Sequence, residues 1–594
     1  MQIIKSLVIS LVFVCPFLTK AQTTFLPIGD KGYHFVDRME IKQQTNTNFN
    51  FSGLRPYSRK AIVKQTEFLD SARMGYRDSI TGIDMYKEWT DLELTKIDEY
   101  NLRSFLMNNS EWVSGSKDDF KSTKPFLIKS LYKTKPNLLE VNNKDLFLVL
   151  NPVLQIHQAI EPGLSKTIFL NSRGLTVRGR IANKIGFSST FTDNQERGPV
   201  FFGNYVFDPT RKATGGGIYK AVPGVGFFKD FKNDRTSFDY LDARGYITFN
   251  AAKFVDVQFG YDKNFIGNGY RSLFLSDWGN SNLFLKLNTK IWKFNYQNLF
   301  MELMPQFTKT TDDLLSRKYA AMHHLSINVS RWLNIGLFES VIFGRKDHFD
   351  FSYLNPIIFL RHIEGTNGSA DNALAGIDFK ANVAHRLQFY GQFLLDEFKL
   401  DKIKENKGWW ANKWGLQLGA KYIDAFGVPN LDIQFESNRV RPYTYSHSSI
   451  ISNYTHYNQP LAHPLGANFQ EFVGIANYQP GPRWYISGRV IYYKQGLDSL
   501  NGTNFGASPL KSNRREGDVD GTRKYEDGYK LGDGRKVTCM NGLFQVSYEW
   551  KENLFLDLSL LYRNYKIANT TGSSNTTLIT AGLRLNISKR EYDF

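Results

Sequence analysis

The sequence predicts an all-β membrane protein. The expected fold is an antiparallel outer-membrane β-barrel of about eighteen strands with a small N-terminal periplasmic helical domain. Three observations predict it. The chain opens with an export signal yet contains no later apolar run long enough for a membrane helix. Beyond Asp145 the hydropathy alternates residue by residue. The gaps between the alternating runs are by turns short and long. A closed barrel is the one non-helical way to satisfy every backbone polar group inside a bilayer.

The elements follow in order. Lys5 precedes an apolar run from Leu7 to Leu18, and Thr19-Lys20-Ala21 offers a small residue for cleavage, so residues 1–21 read as a signal peptide. Cys15 lacks the small preceding residue that lipidation needs, because Val14 stands there. Cys539 is then alone in the mature chain, which excludes an internal disulfide framework.

Residues 22–144 read as a periplasmic N-terminal domain with helices. "SRKAIVKQTEFLDSA" places Ile62, Leu69 and Ala72 near helical spacing, and "TDLELTKIDEYNLRSFLMNN" does so with Leu94, Ile97, Phe105 and Leu106. Asp91 and Glu93 suit a helix start, where the dipole favours acids.

Residues 145–594 read as the transmembrane barrel, with alternating runs from 146–158 to 577–588. In "NLFLKLNTKIWKFNYQNLFMEL" one face carries Trp292, Phe294, Tyr296 and Phe300, while Lys293, Asn295 and Gln297 fall on the other. That pattern predicts a hairpin between lipid and a polar lumen, with "TK" at 289–290 as its periplasmic turn. Short connections such as "AHR" at 384–386 and "KEN" at 551–553 alternate with long ones at 196–241, 263–281, 345–373, 397–412, 441–466 and 497–537. The long ones are expected outside the cell. Polar lumen positions also permit a diffusion channel.

Aromatic residues make up 15% of the chain, yet mean hydropathy is only −0.38. A polar lumen behind an apolar skin accounts for both. Lys and Arg number 74 against 57 Asp and Glu, a formal charge of +17. In an exported protein that excess points to acidic glycans or lipid headgroups rather than nucleic acid, or is simply spread over loops.

The sequence carries no HExxH, Walker or GxSxG pattern, so no catalytic residue and no cofactor is nominated. His447, His456 and His463 have spacings that match no metal-binding helix or finger, and no metal site is assigned. Adjacent His323 and His324 face opposite ways on a strand and cannot easily share a ligand. "DVDG" at 518–521 resembles half a calcium loop, but the acids that follow are wrongly spaced. For glycan contact the candidates are Tyr270, Trp278, Tyr443, Tyr445, Tyr454 and Tyr457, in loops rich in aromatics and amides. An aromatic girdle or loop packing would use the same residues.

Several segments resemble the Wzi family of capsule-assembly proteins. "FLPIGDKGYHFVDRMEIKQQ" with "LRPYSRKAIVKQTEFLDSA" is similar to the family's N-terminal pattern through Pro27, Tyr33, Asp37, Arg38, Glu40, Arg55, Pro56 and Arg59. "SRGLTVRGRIANKIGFSSTFTDNQ" is similar to its first barrel hairpins, and "GYDKNFIGNGYRSLFLSDWGNSNLFLKL" to its glycine-rich region. "FIGNGY" departs from that region's Trp-Gly-Pro-Gly-like pattern at Asn268. The resemblance implies an eighteen-stranded barrel with a helical bundle on its periplasmic side, associated with surface polysaccharide at the outer membrane. Similar proteins of a RemB-like branch imply instead a part in gliding motility, with motility or secretion proteins as partners.

Overall fold

The computed structural model describes residues 23–44, 49–73, 93–123, 130–207, 220–231, 234–305, 314–346, 348–357, 359–500, 502–518, 521–568 and 573–594. The signal peptide and Asp91 lie outside the described residues. No described helix is long and apolar enough to cross a membrane.

Eighteen antiparallel strands close into one barrel. They are β1 (Leu146–Ile160), β2 (Ile168–Ile181), β3 (Ile185–Arg197), β4 (Asp234–Ala252), β5 (Val255–Asp262) and β6 (Asn282–Ile291). Then come β7 (Phe294–Leu303), β8 (Lys318–Asn328), β9 (Leu333–Phe343), β10 (Asn372–Val383), β11 (Leu387–Glu397) and β12 (Lys413–Tyr422). The last six are β13 (Leu431–Val440), β14 (Phe469–Gly481), β15 (Trp484–Leu497), β16 (Arg535–Lys551), β17 (Leu554–Ile567) and β18 (Ser573–Leu585). Each pairs with the next, and β18 closes on β1 through Leu585↔Leu154 to Ile579↔Ile160. Closure leaves no sheet edge, so each ladder hydrogen bond finds a partner.

The alternation behaves as the sequence predicts. On β17 the side chains of Leu556, Leu558, Leu560 and Tyr562 are exposed outward, whereas Phe555, Asp557, Leu561 and Arg563 are buried inward. The hairpin turn differs from the expected "TK". The ladder continues to Ile291↔Phe294, and the turn is Trp292-Lys293, with Trp292 in the left-handed region at φ 51°. Trp292 is therefore an exposed ring tilted against Phe294 rather than a strand residue.

The N-terminal segment folds as α1 (Gly32–Gln43), α2 (Arg59–Arg73) and α3 (Lys96–Asn108). Helix α3 starts later than Asp91 and Glu93 suggest. Thr95 and Asp98 form a capping box, with Thr95 Oγ1 accepting the Asp98 N–H at 3.0 Å and Asp98 accepting the Thr95 N–H at 3.1 Å. The helices share a core of Phe35, Val36, Met39, Ile62, Leu69, Leu102 and Phe105. This body docks into the short-turn end of the barrel. Arg38, 2% exposed, binds Asp98 at 2.9 Å and Asp424 at 3.0 Å, and also pairs with Asp432 on β13. Lys421 binds Asp37 and Lys380 binds Glu40, both at 2.8 Å.

The β9–β10 connection lies against the outside of the barrel. It carries α4 (Leu360–Thr366) and covers a polar pair on the outward face, His323 Nδ1 to Glu339 Oε1 at 2.9 Å. The N–H groups of Phe359 and Leu360 donate to Glu339, and Asn298 donates to the Pro356 carbonyl. His324 faces inward to Asp378 at 2.7 Å, so the two adjacent histidines do point opposite ways.

Candidate functional site

The glycine-rich segment 263–281 leaves β5 at the long-loop end, but it turns into the lumen instead of outward. Leu54 and Arg55 of the N-terminal body pair with Ile266 and Phe265, so the two ends of the barrel meet inside it. Arg55 stacks between the rings of Tyr33 and Phe265. A Cβ on Gly269 would sit 2.3 Å from Glu436 Oε2, so glycine lets that carboxylate approach. Glu436 then accepts the N–H groups of Tyr270 at 2.7 Å and Arg271 at 3.1 Å. Gln392 accepts the Leu273 N–H and Gln417 donates to the Arg271 carbonyl, so strand side chains hold the segment's backbone. Lys286, inward on β6, donates to Asn264 at 3.0 Å.

The C-terminal tail fills the space beside it. After β18, residues 586–594 run back through the lumen. Ser588 donates to the Ile28 carbonyl, Arg590 pairs with Glu196 at 3.1 Å, and Asp593 accepts from Arg271 at 2.8 Å. Burial pushes the Asp593 carboxyl up, but Arg271 and Arg489 outweigh it and hold it down at about 2. Phe594 packs against Phe201, Tyr205 and Trp278. A cavity of about 70 Å³ remains between the tail and the wall, lined in part by His157, Asp557, Lys589 and Tyr592. It has room for a few waters and not for a sugar ring.

The long-loop end is closed by 441–466 and 498–534. Tyr443, Tyr445 and Tyr454 are fully buried, and their hydroxyls donate to the carbonyls of Asn504, Leu273 and Phe274 at 2.7–2.8 Å. Tyr270 is half-buried and receives a hydrogen bond from Arg489 at 2.6 Å. Trp278 and Tyr457 are also half-buried. The six candidates are thus spread between the lumen and the lid rather than gathered in one cleft.

The loop histidines serve separate partners. His456 Nδ1 accepts the Met304 N–H and its Nε2 faces the Ser281 carbonyl, both at 3.0 Å. Burial pushes both His456 and His447 down to about 4, so each stays neutral at pH 7. His463 faces Glu471 at 2.7 Å. Among the described residues no cluster of His, Cys, Asp and Glu is arranged to hold a metal ion.

A second aromatic group was not singled out from the sequence. Trp410 donates from Nε1 to Glu526 at 3.0 Å, and the Arg523 guanidinium lies 4.3 Å from its ring centre. Tyr525 beside it is 57% exposed. Its local signal was the interleaved "TRKYEDGYK", which reads equally as a self-neutralised surface loop.

An eighteen-stranded wall, a helical body docked at one end and chain segments folded into the lumen define an outer-membrane β-barrel. The profile of the capsule assembly protein Wzi family matches residues 169–536, and the chain belongs to that family. It is similar in fold to Wzi of Escherichia coli, described as an outer-membrane, carbohydrate-binding β-barrel involved in group 1 capsule assembly. Identity is 13%, the alignment covers 95% of this chain and 100% of that one, and the TM-score is 0.53. OprD of Pseudomonas aeruginosa matches at 10% identity over 74% of this chain and 95% of its own, with a TM-score of 0.39. OpdK of the same organism matches at 9% identity, 74% and 98% coverage and a TM-score of 0.40. No curated protein matches the sequence.

Proposed function

We propose that this barrel holds surface polysaccharide at the outer membrane through the outer surface of its long-loop lid, with the N-terminal body in the periplasm. The observation that carries the reading is the filled lumen. The inward segment 263–281, the tail and the N-terminal body occupy the space a solute would cross. With these segments occupying the lumen, the long-loop surface is left as the working face. On that face Trp410 and Tyr525 offer rings for sugar C–H faces, and Arg514, Arg515 and Lys524 offer charge to acidic sugars. In this reading Tyr457 and Trp278 supply edges of the surface. Tyr270, Tyr443, Tyr445 and Tyr454 hold it in shape.

Purified protein is expected to retain the native surface polysaccharide. W410A/Y525A is expected to lose that binding while keeping the heat-modifiable migration of a folded barrel. A variant that binds as well as the parent, with a normal capsule in a deletion strain, overturns the reading. Planar-bilayer conductance is expected at background level, and a steady open-channel current would restore the diffusion-channel alternative. Normal capsule with lost cell movement in the deletion strain would favour the motility branch.

A further inference from the structure

The outward face of β13–β18 carries a row of side chains at one level near the long-loop rim. Cross-strand register places Arg439, Gln470, Lys494, Thr538, Lys566 and Ser573 directly beside one another on six consecutive strands. Their outward direction follows from their neighbours. Phe435, Val490, Tyr492, Phe544 and Tyr562 on the same faces are exposed, while the intervening Asn438, Ile491, Cys539 and Arg563 are buried. Lys536 stands two residues further up on the same face, opposite Gly496, where the backbone of Gly532 and Asp533 takes the place of a side chain.

Below this row the outward face turns apolar. The next level holds Phe472, Tyr492 and Met540, and the face runs down through Val490, Phe544 and Leu560 to Trp484 and Tyr548. Ten residues separate the Lys494 and Trp484 levels on β15. At ~3.4 Å per residue and a tilt of ~40° that is roughly 25 Å, the height of an outer-membrane apolar band. The basic row therefore sits at the upper edge of the band. Lys494, Lys536 and Lys566 are exposed and form no ion pair among the described residues. Leu531 and Gly532 line the same groove as these lysines, and its volume is about 750 Å³.

We infer that this groove binds the phosphorylated headgroup of a lipid in the leaflet at that level, with its acyl chains lying on Tyr492, Val490 and Phe544. Lys494 and Lys566 lie two strands apart, roughly 10 Å, which suits two phosphates or one phosphate held from both sides. The choice of a lipid over an acidic polysaccharide rests on the apolar wall directly beneath the cations, which a polysaccharide would leave unused. Which leaflet supplies the lipid rests on the orientation proposed above, whereas the binding does not.

The test uses the purified full-length barrel in detergent, with diphosphorylated lipid A as probe and native mass spectrometry as readout. The variant is K494Q/K536Q/K566Q, whose three side chains point away from the barrel core. The parent is expected to bind the probe about 100-fold more tightly than the variant, near one kilocalorie-scale contact for each lysine. Dephosphorylated probe is expected to bind both equally and weakly. Equal binding of the phosphorylated probe by parent and variant overturns the inference. So does competition by millimolar inorganic phosphate that matches the lipid, or loss of acidic-polysaccharide binding in the variant without loss of lipid. Surface labelling of D527C on intact cells separately tests the orientation, and its failure leaves the detergent result standing.

Discussion

The two ends of the barrel are closed by different chemistry. At the short-turn end a separately cored body docks through buried charge, with Arg38 among Asp98, Asp424 and Asp432, and Lys31 against Glu549 at 2.6 Å. At the long-loop end the 441–466 loop is held chiefly by tyrosine hydroxyls on carbonyls and stacked rings such as Tyr445 on Tyr454, and ion pairs such as Lys511 with Asp498 at 2.9 Å stand beside them. The difference follows from tethering. A domain on a single tether gains position and register from paired charges, whose geometry tolerates few alternatives. A loop fixed at both ends has already lost most of its freedom, and needs chiefly to satisfy its backbone groups away from water.

The comparison can be broken most forcefully at Arg38. R38A leaves Asp98 and Asp424 to Lys42 alone and Asp432 to His34, and is expected to cost about 3 kcal/mol of docking. Limited proteolysis should then cut within residues 32–108 while the barrel stays resistant. Unchanged protection would mean that apolar packing alone holds the domain.

Acid should act on the other end. His447 and His456 are held down at about 4, below the ordinary value near 6.5, by burial. Between those values the unfolded loop binds more protons than the folded one, so stability rises with pH. Acidifying from pH 6.5 towards 4 is expected to loosen the 441–466 lid by about 1.4 kcal/mol per pH unit for each histidine. Hydrogen exchange of that loop checks it, and H447Q/H456Q should flatten the profile.

A smaller change is expected at Tyr454. Y454F removes the hydroxyl that satisfies the Phe274 carbonyl, at a cost of about 1 kcal/mol, read as faster exchange in both loops. The smallest is at the surface. K121A breaks an exposed pair with Asp118, and the melting temperature is expected to stay where it is.

Much of the wall was legible because a strand's side-chain period is two and one face meets lipid. Phe294, Tyr296 and Phe300 declare the outward face without reference to any distant residue. The turn at Trp292-Lys293 lies three residues beyond the expected 289–290, since an alternating pattern continues through a two-residue hairpin and carries no mark of its own. The helix at 96–108 was legible from its apolar spacing, but its start was set by the Thr95–Asp98 box rather than by the earlier acids. The candidate tyrosines were legible as loop residues. That three of them would be buried was not, because their partners stand 61 to 180 positions away, as in Tyr443 to Asn504 and Tyr454 to Phe274.

By itself the sequence determined that the chain would alternate, close into a barrel and carry long connections at one end. Those features depend on local period and on the demand that a membrane-embedded backbone satisfy its own polar groups. Only the tertiary structure decided where the connections go. Segment 263–281 and the tail fold inward, the β9–β10 connection folds outward over the wall, and 441–466 spans the end. No local pattern distinguishes these outcomes. Each is fixed by hydrogen bonds and ion pairs between residues that closure of the barrel brings together, and Glu436, Arg271 and Asp593 meet only after the wall exists.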